Sequence, residues 1–273
     1  MVKKLIDETS RYRFERIYEG GSNMCELGST DKLSTTFIHH GSVALRFPSQ
    51  KNRGEVFKLS QGQGFILAPG ISCSLYNSGR LVAYTVSSKI DRESPIVEII
   101  EFESDRKEVV LGDFRIIRDP KRVEKPWGHE LWVSWFMNHH VLKQIGMSKG
   151  MQSSLQFHRE KLETNYLESG RADVIEGYKL NPLTPEEEVL KSLDGINFDE
   201  YKKRMSPGDH WTSQAGTAHR VMAVTDYLAY EVSTPELDDV IRLQDDSCRN
   251  SGRIDSEHMV AGGKKWEKTE GGS

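Results

Sequence analysis

Apolar positions along this chain fall in short alternating or continuous runs, separated by turn-forming residues at the intervals of an all-β fold. Ser42-Val-Ala-Leu-Arg-Phe47, Gly64-Phe-Ile-Leu-Ala68 and Leu81-Val-Ala-Tyr-Thr-Val86 each read as a strand bounded by Gly, Pro, Asn or Ser. Helical periodicity is scarce. Its clearest instance is Thr184-Pro-Glu-Glu-Glu-Val-Leu-Lys-Ser-Leu193, where Thr184 is placed to cap, Pro185 suits the first helical position and Glu187 completes a capping box. This predicts a short surface helix inserted between strands, with Glu186 to Glu188 as its solvated start.

The pattern repeats. Gly62 to Cys73 aligns with Gly208 to His219 with both pairs of glycines matched, and the same offset aligns Ala83-Tyr-Thr-Val-Ser87 with Ala229-Tyr-Glu-Val-Ser233. At a second offset, Phe37-Ile-His-His-Gly-Ser-Val-Ala-Leu45 lies over Tyr166-Leu-Glu-Ser-Gly-Arg-Ala-Asp-Val174. Two copies of one barrel is the simplest account. The division expected is an N-terminal barrel over 1–115, a C-terminal barrel over 123–255 and a mobile tail over 256–273, with Asp119 to Lys125 as polar connection.

The bulk numbers narrow the function classes. A chain of 273 residues can bury a sizeable core, and a net charge of −4 supplies no field to hold nucleic acid or an anionic membrane. Cys25, Cys73 and Cys248 are odd in number and widely spaced, which predicts neither a disulfide framework nor a cysteine zinc site and fits a reducing cytoplasm. The N-terminus turns charged too early for a signal peptide, and apolar runs stay short of the roughly 20 residues of a membrane helix. Phosphate loops of the GxGxxG or GxxxxGK[ST] type and a GxSxG elbow are absent.

Candidate chemistry is concentrated in the second half. On an extended strand Gln156 and His158 point the same way, a turn through Arg159 to Leu162 brings Glu163 back, and His219 enters another strand after Gly216. Aligned on the repeat, their counterparts are Leu27, Ser29, Ser34 and Cys73, so the first barrel is expected to lack metal ligands. Imidazole, carboxylate and amide donors suit one divalent ion among Zn, Mn, Fe, Co and Ni. On spacing alone, hydrogen-bonded structural histidines are an equal alternative. The adjacent pairs His39-His40 and His139-His140 point to opposite faces of any strand and do not chelate.

Several ordered motifs together carry a resemblance. Pro126-Trp-Gly-His-Glu130, Leu142-Lys-Gln-Ile145, Ser154-Leu-Gln-Phe-His158 with Glu163, Pro207-Gly-Asp209, Ala218-His-Arg220, Tyr230-Glu-Val-Ser-Thr-Pro235 and Asp238-Asp-Val-Ile-Arg-Leu243 resemble the cupin domain of type II mannose-6-phosphate isomerases, over roughly 123–253. The resemblance implies a bicupin fold of two jelly-roll barrels, a metal held by Gln156, His158, Glu163 and His219, and ketol-isomerisation of a sugar or sugar phosphate through a cis-enediolate. It makes Lys143 a catalytic candidate, with Glu231 our preferred base and His129 and Glu130 a weaker acid–base alternative. Lys161 and Arg242 become candidate phosphate contacts. Trp127 and Trp132 are read as packing residues. The chain departs from the family pattern at Arg159-Glu-Lys-Leu162, at Thr164-Asn165 and at Asp245 to Arg253. Rival readings are an Fe(II)-dependent oxygenase and a non-catalytic sugar-binding or regulatory module. Exposed sheet edges leave room for a homodimer.

Overall fold

The computed structural model describes residues 1–20, 23–47, 56–77, 79–90, 96–99, 107–110, 114–136, 139–236 and 238–252. The expected tail over 256–273 lies outside them. Each half of the chain builds two antiparallel sheets. In the first half a six-stranded sheet runs across Val2–Glu8, Arg13–Tyr18, Val82–Lys89, Lys32–His40, Gly64–Leu67 and Phe114–Ile117. It is faced by a four-stranded sheet of Met24–Ser29, Ile71–Tyr76, Ser42–Arg46 and Val56–Ser60. A hairpin of Ile96–Ile99 with Lys107–Val110 follows.

The second half repeats the arrangement. Lys121–Lys125, Gly128–Trp135, Val141–Met147, Tyr227–Ser233, Glu163–Ser169 and His210–Ser213 form the six-stranded sheet. Lys202–Met205, Ala172–Lys179, Thr217–Ala223, Leu155–His158 and Val240–Gln244 form the opposing five-stranded sheet.

The register makes the internal repeat physical. Leu27 pairs with Cys73 in the first half as Gln156 pairs with His219 in the second, and Ser34 pairs with Ser87 as Glu163 pairs with Ser233. Both halves carry the same irregularity, between Ile38 and His40 and between Leu167 and Ser169. Each is followed by a glycine, Gly41 at φ +90° and Gly170 at φ +89°. A Cβ there would meet a carbonyl oxygen at 2.0 Å, that of Arg80 or of Asp226. Only glycine combines that dihedral with that approach. Of the first-barrel counterparts of the second barrel's polar donors, Leu27 and Cys73 pack in the core with Leu45, Phe65 and Leu75, whereas Ser29 donates to Asp31 Oδ1 and Ser34 is a buried hydroxyl.

Alternation along the shared strands explains why both of their faces are buried. On Tyr227–Ser233, Ala229 and Glu231 face the interior of their own barrel, while Tyr230 and Val232 join Phe14, Phe37, Tyr84 and Leu142 in a cluster between the two halves. Tyr84 and Tyr230 stack at 3.9 Å. Polar contacts fix the docking: Tyr12 Oη to Thr164 Oγ1 at 3.0 Å, and His140 between Thr35 Oγ1 at 3.1 Å and Ser88 Oγ at 2.9 Å.

The inserted helix is present as Glu186–Ser192, with Val189 buried against the five-stranded sheet. Its start differs from the expected capping box. Pro185 occupies the N-cap, and no side chain caps the helix. The Thr184 carbonyl accepts from Arg159 Nη1 at 3.1 Å, so the chain entering the helix is anchored to the barrel instead. Among the described residues no helix is long and apolar enough to cross a membrane.

Candidate metal centre

Gln156, His158, Glu163 and His219 all line one cavity of about 120 Å³ inside the second barrel. Pleating turns Gln156 and His158 inward together from one strand, and the adjacent strand places His219 beside Gln156. Glu163 enters from the opposite sheet after the Arg159–Leu162 turn. His219 Nε2 lies 3.4 Å from Glu163 Oε1, and His158 Nε2 lies 3.8 Å from Glu163 Oε2. Ligand atoms of these three side chains lie within 4.8 Å of one another, and all three residues are buried. The two imidazoles are nearly parallel, 5.6 Å apart.

The outer partners decide which nitrogen faces inward. His158 Nδ1 lies 2.6 Å from Asp239 Oδ1, and His219 Nδ1 lies 2.9 Å from the Thr217 carbonyl oxygen. Both partners accept, so each Nδ1 carries the proton and each Nε2 presents a lone pair to the cavity. His158 Nε2 is buried without a hydrogen-bond partner. An orphaned lone pair of this kind wants an electrophile. Burial, followed by the nearby Lys161 ammonium, lowers the His158 pKa and keeps the ring neutral, the state a ligand requires. Burial opposes ionisation of Asp239, but its bond from His158 and two backbone N–H groups hold its pKa below the ordinary aspartate value.

These donors fit a divalent cation, with one refinement. Ser154 Oγ donates to Gln156 Oε1 at 2.6 Å, and Gln156 Nε2 lies 3.4 Å from His219 Nε2. Gln156 therefore turns its amide nitrogen toward the imidazoles. Rotation of the amide by half a turn presents the oxygen instead, with Ser154 then accepting from the nitrogen.

A ladder of alternating charges leads away from the ligand cluster. Lys161 Nζ donates to Glu163 Oε2 at 2.5 Å and to Glu231 Oε1 at 2.9 Å. Lys143 Nζ lies 3.6 Å from Glu231 and 3.5 Å from Glu130, and Lys125 Nζ lies 3.7 Å from the other Glu130 oxygen. Burial disfavours the Lys161 ammonium, yet Glu163 and Glu231 raise its pKa above the ordinary lysine value. Burial likewise opposes the Glu130 carboxylate, but Lys125, Lys143 and the Trp132 N–H bring its pKa down to about 2. Lys143, in register with Glu231 on the neighbouring strand, also sits 4.3 Å from the Trp132 ring centroid.

The other expected residues divide. Lys143, Lys161, Glu231 and Arg242 all line the cavity, as do Trp127 and Trp132, which serve at once as core and as cavity wall. Lys161 is turned inward to two carboxylates, and the Arg242 guanidinium donates to the carbonyls of Asn250 and Gly252. Glu130 faces the cavity whereas its neighbour His129 packs against Gly146. His39 bonds Tyr230 and His140 bonds Thr35 and Ser88, both between the barrels.

The sequence pattern gives no role to Asp239, Asn165, Trp211 or Tyr227 and places Lys125 in the polar connection, where the structure makes it the end of an edge strand at the cavity; all belong to the site or its support. Asp239 sits in the acidic pair before the Arg242 strand, and that position was its one available signal. Asn165 and Trp211 pair across neighbouring strands on the inner face.

No family model and no curated protein matches the sequence. Solved structures do match in shape. The oxalate decarboxylase of Lactobacillus farciminis, in its formate complex, aligns with a TM-score of 0.58 at 12% identity over 86% of this chain and 80% of its own. The Bacillus subtilis oxalate decarboxylase, described with Mn(II) centres, aligns at 0.55 and 12% identity over 85% of this chain and 71% of its own. Procruciferin, an 11S globulin of Brassica napus, aligns at 0.55 and 12% identity over 89% and 80%. Identities this low speak to fold alone. Sheet topology, register repeat and these likenesses agree on one architecture: the chain folds as a bicupin, two jelly-roll barrels with a short helical insertion in the second.

Proposed function

We propose that this protein is a metal-dependent aldose–ketose isomerase of the mannose-6-phosphate isomerase-like type, acting on a sugar or sugar phosphate. The observation that carries the reading is the buried, unpartnered Nε2 of His158, aimed with His219 Nε2 at the Glu163 carboxylate beside a ladder of lysines and glutamates. His158, Glu163 and His219, joined by Gln156 after amide rotation, would hold one divalent ion. Such an ion supplies Lewis acidity toward the oxygens of a hydroxy-carbonyl unit.

The chain's own groups supply the rest. Glu231, on the inner face and in contact with two ammonium groups, is the base that moves a proton between adjacent carbons. Lys143 donates to the oxygen on which charge develops, and Glu130 with Trp132 positions its ammonium. Arg242, braced by two backbone carbonyls at the cavity wall, meets an anionic end of the substrate.

The test is metal analysis of the purified chain, followed by incubation with aldoses, ketoses and their phosphates in deuterated water. Deuterium uptake at the carbon next to the carbonyl is expected, together with loss of metal in folded His158→Ala and His219→Ala variants. Normal metal content in both variants would refute the centre. A second reading has its own support: two histidines and one carboxylate, with Gln156 Oε1 engaged by Ser154, also match the ligand set of non-haem Fe(II) oxygenases. Oxygen consumption that requires iron and stops with zinc would favour it.

A further inference from the structure

The two oxygens of Glu163 face different partners. Oε1 lies 3.4 Å from His219 Nε2 and accepts from Asn165 Nδ2 at 3.3 Å. Oε2 lies 3.8 Å from His158 Nε2 and accepts from Lys161 Nζ at 2.5 Å. A cation of the protein's own is therefore seated on one oxygen of the carboxylate that a divalent ion would use.

Its placement is built into the fold. Lys161 is only 4% exposed. Its backbone N–H donates to Asp239 Oδ2 at 2.8 Å, the carboxylate whose other oxygen accepts from His158 Nδ1. Its ammonium is held from the far side by Glu231 Oε1 at 2.9 Å. One carboxylate thus positions both the histidine donor and the base of the lysine.

We propose that Lys161 is a built-in competitor for the metal: it reserves Glu163 Oε2, leaves Oε1 as the ligating oxygen, and holds divalent-ion affinity low enough for exchange. The inference rests on the reading that His158, Glu163 and His219 bind such an ion. Two physical consequences follow. Without an ion, Glu163 is not a buried unpaired charge, so the site folds without waiting for metal. With an ion bound, a like charge stays nearby in a medium of low dielectric, and the ion is held less tightly than by the same donors alone. Lys161 acts here as a positioning residue facing the ligand set.

The experiment is titration of the full-length chain with Co²⁺ and with Zn²⁺, followed by calorimetry and, for Co²⁺, by visible absorption. Wild type is compared with Lys161→Gln, Lys161→Met and Lys143→Met. Lys161→Gln keeps amide donors between Glu163 and Glu231, which guards the fold should the Met variant fail. Lys143→Met removes the next cation of the ladder, which contacts Glu231 and Glu130. Kd is expected to fall by roughly tenfold or more in the Lys161 variants, with a change under about threefold in Lys143→Met. Unchanged or weaker binding in Lys161→Gln overturns the proposal, as does an equal gain in Lys143→Met, while tight wild-type binding leaves the metal reading standing. If neither wild type nor Lys161→Gln binds either ion, the metal reading falls and this inference falls with it.

Discussion

Asp239 uses one carboxylate twice. Oδ1 accepts from His158 Nδ1, and Oδ2 accepts the backbone N–H groups of Glu160 and Lys161 at 2.7 and 2.8 Å. Removing it frees the imidazole to rotate and loosens the turn that delivers Lys161 and Glu163. Asp239→Ala is expected to weaken divalent-ion binding about 10- to 100-fold while the far-UV circular dichroism stays that of a β protein. An unchanged Kd would show that packing alone orients His158. At this scale the donor types and their inward direction were legible from alternation around Gln156 and His158. The orienting partners were not, because Asp239 is 81 residues from His158 in sequence and meets it only through sheet pairing.

At the scale of elements, the hairpin glycines show how strictly the repeat is enforced. Gly170 has φ +89°, and an added Cβ would strike the Asp226 carbonyl oxygen at 2.0 Å. Gly195, in the inserted segment, has φ +78° with nothing within 4 Å of that position. Gly170→Ala combines an unfavourable dihedral with a backbone clash and is expected to cost about 2 kcal/mol or more, whereas Gly195→Ala costs about 1 kcal/mol. Urea unfolding of the two variants checks the difference; equal losses would mean the hairpin relaxes freely. The inserted helix offers the complementary lesson. Its extent was legible from periodicity, but its start was not, because Arg159 takes the Thr184 carbonyl from another part of the chain and the expected cap is unused.

For the whole molecule, the joint between the barrels is the shared core, and it contains a titratable group. His140 is fully buried between Thr35 and Ser88, and burial pushes its pKa down from 6.5 to about 3. The folded pKa lies below the unfolded one, so the unfolded chain takes the proton first. Stability is therefore complete above about pH 6.5 and falls as pH drops toward 3, by on the order of a few kcal/mol over that window. His39, His129, His139 and His158 are also shifted down, chiefly by burial, and act in the same direction. Urea midpoints should drop between pH 7.5 and pH 5, and the drop should shrink in His140→Gln. A pH-independent midpoint would place His140 in contact with water.

Which strands exist, that they come in two copies, and which residues could offer metal donors are all local properties of the sequence. Alternation, turn chemistry and a repeated glycine pattern act over a few residues, so the one-dimensional chain carries them. Three matters required the folded chain. One is the shared core, where Tyr230 and Val232 face the other barrel while Glu231 between them faces the cavity. Another is the inward turn of Lys161, which the family resemblance directs toward a substrate phosphate and which the pull of Glu163 and Glu231 directs toward the ligands. The last is the tautomer of each histidine, set by Asp239 and by the Thr217 carbonyl. Each depends on charges and acceptors brought within hydrogen-bond reach by sheet pairing across distant segments. Electrostatic contacts of that range are invisible until the sheets are paired.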